Sequence, residues 1–159
     1  MKGNGKENGD METKEHIQNA LKQLFSSQYL AVLATQDKGQ PYTSLVAFAA
    51  TDDLKSLLFV TGQSTRKYAN LKADSRAAML IDSRSNQASD ISHAMAATAT
   101  GTTEDVSKEE VQYKIFYLSK HPHLEEFIDS PSTAFIKLNV EHYYVVSKFQ
   151  EVMELHIEQ

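Results

Sequence analysis

The residues from Leu57 to Asp82, LLFVTGQSTRKYANLKADSRAAMLID, leave this chain few ways to fold. Leu57 to Thr61 is an apolar run of strand length that stops at Gly62, and Arg76 to Ile81 is a second run opened by the turn-forming pair Asp74-Ser75. Between them, Tyr68, Leu71 and Ala69 give a short helix one apolar face. Ser64 or Thr65 can cap that helix by accepting a hydrogen bond from a first-turn amide. The rest of the chain is placed around this strand, helix and strand.

The helix is unusual in its charge. Arg66 and Lys67 fall in the first turn, where the helix dipole is positive and each cation costs about 0.3–1 kcal/mol. An anion held by the free backbone amides, the Ser64 and Thr65 hydroxyls and the two cations reverses the sign of that cost, and a phosphate fits best. On spacing alone the alternative stays open: both side chains splay into water and are screened.

Composition bounds the rest. The chain has 159 residues, which suits a single domain, with residues 1–11, rich in Gly, Asn and Lys, as a flexible tail and residues 12–159 as the folded unit. A net charge of −5 argues against a general nucleic-acid binder, which needs a basic face to neutralise backbone phosphates. The chain has no cysteine, so disulfides and thiolate chemistry are excluded. No apolar run approaches the roughly 20 residues that span a bilayer, and MKGNGKENGDMETK has no apolar core like that of a secretory leader. The expectation is a soluble cytoplasmic protein with no membrane partner.

Taken in order, Ile17, Leu21, Leu24 and Phe25 recur at helical spacing between Glu12 and Gln28 and predict an amphipathic helix lying across the fold. Tyr29–Thr35 reads as a buried strand, Asp37-Lys38-Gly39 as a turn, and Tyr42–Ala50 as the returning strand of a hairpin. The returning strand carries small residues on both faces, which suits a tight barrel or a backbone lying against a flat ligand. After Ile81 the polar segment DSRSNQASD reads as a loop, and His93–Thr103 as a strand. Ser107 to Glu110 has a capping-box pattern before a helix that His121-Pro122 stops; a short helix follows around Leu124–Ile128. Thr133–Leu138 and His142–Val146 read as a final strand or strand pair. The sum is a mainly β, α+β chain: a six- to seven-stranded antiparallel Greek-key split β-barrel with peripheral helices.

This order, with FVTGQSTRKYANLKADSRAAMLID, resembles the FMN-binding split-barrel family related to pyridoxamine 5′-phosphate oxidase, over about Gln28 to Phe149. The stretches Ile81–Asp90 and Tyr117–Phe149 look like the branch associated with haem-iron utilisation. The resemblance implies an FMN-binding homodimer with the cofactor at the subunit interface, acting as a flavin-dependent oxidoreductase on a small molecule. Carried over residue by residue, it implies phosphate contacts from Arg66, Lys67, Ser64 and Thr65, a flavin neighbour at Thr61, and a backbone along the ring at Thr43, Ser44, Leu45 and Val46. Asp82, Arg84, Ser85 and Asn86 are positional candidates for contacts to the ring or to a second subunit. Ala96 stands where the oxidases place a glutamine, and their C-terminal substrate-binding Arg and His have no counterpart, so the resemblance does not extend to pyridoxamine phosphate as the substrate.

The alternatives are a haem-binding or haem-degrading barrel, with His156 or His93 as axial ligand, and a non-catalytic flavin-binding dimer; a deazaflavin could replace FMN. No catalytic acid or base stands out. The only closely spaced histidines, His121 and His123, have Pro122 between them and no metal-binding carboxylate motif beside them, so no metal site is nominated.

Overall fold

The structure is a computed structural model that describes residues 4–108, 111–148 and 151–159. Its strands are β1 (Leu30–Asp37), β2 (Gln40–Ala50), β3 (Ser56–Gly62), β4 (Arg76–Asp82), β5 (Ala96–Asp105), β6 (Thr133–Ser147) and β7 (Glu151–His156). The helices are α1 (Asn4–Ser27), α2 (Arg66–Ala73), α3 (Asp90–His93), α4 (Val111–Lys120) and α5 (Glu125–Asp129).

All seven strands form one antiparallel sheet in the order β3-β2-β1-β4-β5-β6-β7, and a β3–β6 pairing closes six of them into a barrel. The sequential hairpins β1–β2 and β2–β3, with β4 returning beside β1, make the expected Greek key. The long strand β6 shares one edge between two partners: Thr133–Asn139 pairs with β3, and His142–Ser147 pairs with β7. Closure is incomplete between β2 and β3, which pair only over Phe48–Ala50 and Leu57–Phe59. Among the described residues the edge of β2 facing away from β1 therefore has no strand partner from Gln40 to Ala47.

Alternation along each strand sets the core. Leu33, Phe48, Phe59, Met79, Ile81 and Tyr143 fill the barrel with 0% exposure, and α1 adds Ile17, Leu21, Leu24 and Phe25. Each such side chain contributes about 1.5–3 kcal/mol through burial. Phe25 meets Phe48 edge to face at 5.9 Å and Tyr143 at 5.7 Å, so α1 seals the end where β1 begins. At the other end of β1, α2 lays Leu71 on the core and donates from Asn70 Nδ2 to Thr35 Oγ1 at 3.0 Å. A second apolar cluster, including Leu58, Val60, Tyr117, Ile128 and Phe135, lies between the outside of β3 and β6 and the helices α4 and α5.

Several expectations are corrected. Helix α1 begins at Asn4 rather than Glu12. His93 ends the one-turn helix α3 instead of opening a strand, and β5 starts at Ala96. Of the two readings left open for the C-terminal region, a final strand or a strand pair, the chain forms the single strand β6, and β7 was not foreseen. Ser107 accepts a hydrogen bond from the Phe135 amide at 2.8 Å and donates to Asp105, so its hydroxyl is engaged away from α4. Glu110, the other half of the expected capping box, and Phe149 lie outside the described residues.

Candidate functional site

The end of β3, the following loop and the start of α2 form a hydrogen-bonded unit. Thr65 is the N-cap: its Oγ1 accepts from the Tyr68 amide at 3.3 Å and donates to the Gly62 carbonyl at 2.8 Å. Buried Thr61 completes the unit, its Oγ1 lying 2.9 Å from that of Thr65. Of the two capping residues the sequence allowed, Thr65 is therefore the one used, and Ser64 stays exposed beside it.

Arg66 is exposed and Lys67 half-buried, and neither forms an ion pair with a carboxylate among the described residues. The first turn of α2 has no acidic residue. Two positive charges thus join the free amides of a helix N-terminus without a counter-charge, which makes the site attractive to an anion. Arg66 also lies over the Tyr42 ring, its Cζ 5.7 Å from the ring centre, a cation–π contact that ties α2 to the start of β2. The sequence reading missed Tyr42; its signal was an aromatic residue opening the strand after Pro41.

The open part of β2 carries the next group. Val46 is buried, Ser44 half-buried, and Thr43 and Leu45 exposed. The Ser44 hydroxyl is buried at the atom itself and has no hydrogen-bond partner. Ser44 shares the inward parity of Val46 and Phe48 and lies opposite Leu33, and Thr133 Oγ1 is likewise buried without a partner among the described residues; each such hydroxyl costs about 1–3 kcal/mol.

Asp82, the last residue of β4, and Arg84, Ser85 and Asn86 beyond it are placed elsewhere. Asp82 pairs with Arg84 (Oδ1 to Nε 3.1 Å), Asp90 draws in the amides of Ser85 and Gln87 and the Ser85 hydroxyl, and Asn86 adopts φ +63°. Within one chain β1 separates this loop from β2, and no hydrogen bond or ion pair links it to α2 among the described residues.

Other polar residues have structural work. His121 is buried, with Nε2 2.7 Å from the Phe48 carbonyl, and burial pushes its basicity down. The Tyr117 hydroxyl donates to the Ala47 carbonyl at 3.0 Å, on the strand edge that β3 has left. A cleft of about 710 Å³ lies between α1, α4 and the end of β2, away from the α2 unit. Lys120 lines it and donates to the Phe25 carbonyl at 2.8 Å near the C-terminus of α1, where a cation suits the helix dipole. Burial lowers its amine to about 8. Among the described residues no three His, Asp or Glu side chains are grouped to hold a metal, and no helix is long and apolar enough to cross a membrane.

A six-stranded barrel closed by β3–β6, split between β2 and β3, and plugged by a helix with paired cations at its N-terminus defines the split-barrel class of proteins. The family model for pyridoxamine 5′-phosphate oxidase matches residues 17–147, and the chain belongs to that family. No curated protein sequence matches it.

Solved structures share the fold. A haem-binding protein from Mycobacterium smegmatis superposes with a TM-score of 0.74 at 18% identity, over 84% of this chain and 55% of that one. HutZ, the haem storage protein of Vibrio cholerae, gives 0.65 at 15% identity, over 82% and 93%. An FAD-binding protein from Mesorhizobium loti gives 0.63 at 14% identity, over 80% and 90%.

Proposed function

We propose that this chain binds FMN through the α2 unit and acts, as a homodimer, as a flavin-dependent oxidoreductase on a small molecule. The observation that carries this reading is the pair of cations, Arg66 and Lys67, without a carboxylate partner at the N-terminus of α2, beside the unpaired stretch of β2. The phosphate of FMN supplies the missing counter-charge, held by Arg66, Lys67, Ser64 and the first amides of α2, with Thr61 and Thr65 fixing the loop. The edge of β2 along Thr43–Val46, which β3 does not cover, supports a flat ligand lying along the strand.

Bound flavin supplies one- and two-electron redox chemistry, and the protein's part is to hold the ring and govern access to it. No side chain here is assigned as acid or base.

The dimer is supported by the outer face of the sheet. One row across the strands reads Leu45, Val32, Leu80, Thr98 and Tyr144, and the adjoining row includes Ala34 and Ala78. Leu45 and Leu30 are 65% and 56% exposed, a large apolar surface for a solitary chain. In a dimer packed through this face, the Asp82–Asn86 loop of one chain is free to reach the cofactor of its partner.

The test is spectroscopic. The purified protein should show the absorbance bands of oxidised flavin, or acquire them on titration with FMN, and lose them on anaerobic addition of NAD(P)H. A protein that ignores FMN and yields a Soret band with haemin would overturn the reading in favour of haem.

A further inference from the structure

The outer face of β6 and β7 holds a pair of histidines that the flavin reading does not use. His142 and His156 face one another across the two strands. His156 Nδ1 lies 3.1 Å from His142 Nε2, with the ring centres 4.7 Å apart. Tyr144 stacks on the His142 ring at 6.0 Å and 22°, which limits how that imidazole can turn. In the single chain His156 is exposed and His142 half-buried, and His142 continues the row of Ala34, Ala78 and Thr100 at the margin of the face proposed for the dimer.

We propose that His142 and His156 form a chelating site for a divalent transition-metal ion, with solvent completing the coordination shell. Metal–imidazole bonds of about 2.0–2.1 Å place two nitrogens about 2.9–3.4 Å apart when the angle at the metal is 90–109°. The observed separation falls in that interval, so an ion can replace the shared proton once the two rings tilt to bring both lone pairs onto it, with the strands left in place. Both donors are imidazole nitrogens on a rigid ladder, which favours copper, nickel and zinc over calcium or magnesium. Glu154, two residues before His156 on the same side of β7, adds negative charge nearby. Gly62, which leads into the α2 unit, pairs with Thr133 at the start of β6, whereas the histidines lie farther along that strand and on β7, so this site stands or falls independently of FMN binding.

The test uses the full-length protein, stripped with chelator and titrated with Cu²⁺, then with Zn²⁺ in competition. We expect saturation at no more than one ion per chain and a copper resonance spectrum with splitting from two nitrogens. His142→Gln and His156→Gln should each weaken binding at least about tenfold, while His16→Gln, on the exposed side of α1, leaves it unchanged. Circular dichroism establishes that each variant is folded. A wild-type spectrum without paired-nitrogen splitting, or unchanged affinity in folded His142→Gln, would overturn the proposal.

Discussion

Thr61 and Thr65 hold the end of a strand against the start of a helix through hydroxyls 2.9 Å apart. Both hydroxyls also reach the Gly62 carbonyl, Thr65 at 2.8 Å and Thr61 at 3.3 Å, either can donate to the other, and Thr65 accepts from the Tyr68 amide. The loop between them is therefore set before any ligand arrives. Thr65→Val keeps the shape and removes the hydroxyl. It should lower stability by about 1–2 kcal/mol in urea unfolding and weaken FMN binding as well, because the helix start loses its fixed position.

Gly101 marks a second point of close approach. The β5–β6 register shifts between Thr100 and Gly101, and a Cβ built on Gly101 would lie 1.9 Å from the Asn139 carbonyl oxygen. That obstacle is backbone and cannot swing aside. Gly101→Ala should destabilise the fold by at least about 1–3 kcal/mol, seen as a lower urea midpoint.

Asp74 gives a pH dependence with a definite sign. Its carboxylate accepts from the Arg76 side chain and amide, and from Gln36 Nε2 at 2.6 Å, which holds it well below the usual carboxylate range. A group whose folded pKa is depressed stabilises the fold above its unfolded value and loses that contribution as pH falls through the folded one. Thermal melts should show wild type losing its advantage over Asp74→Asn as pH drops from about 5 to below 3.

Leu80 lies centrally on the outer face, between Val32 on β1 and Thr98 on β5. A lysine there leaves the barrel interior untouched but sets an unpaired charge in the proposed dimer contact. Leu80→Lys should raise the dimer dissociation constant at least about a hundredfold, read by sedimentation velocity on a protein with an unchanged circular dichroism spectrum.

The parts of this fold that could be read from sequence are those where local chemistry and tertiary placement agree. The Asp37-Lys38-Gly39 turn was legible because the hairpin needs positive φ there, and Lys38 and Gly39 adopt +49° and +86°. The β3-α2-β4 unit was legible because Gly62, Thr65 and Asp74 punctuate it on short range.

What escaped depends on partners far along the chain. Strand β7 leaves most of its residues exposed, so its composition carries little apolar signal, and only pairing with β6 makes it a strand. The continuity of β6 through Asn139, Val140 and Glu141 was left undecided by the sequence because that segment changes partner from β3 to β7 there. Within the candidate site the cations and the cap were visible as sequence. The unpaired Ser44 hydroxyl and the Tyr42 contact to Arg66 needed coordinates, because nothing local to β2 shows where β3 departs.

The central claim is that Arg66 and Lys67 recognise a phosphate, and comparing FMN with riboflavin isolates that group. The direct measurement is the affinity of each for wild type and for Arg66→Ala/Lys67→Ala by fluorescence titration. Charge-assisted hydrogen bonds of about 1.5–3 kcal/mol each predict that wild type prefers FMN and that the double variant loses at least about a hundredfold in FMN affinity while riboflavin binding changes little. Equal binding of FMN and riboflavin to wild type, or an undiminished FMN preference in the folded double variant, would contradict the account.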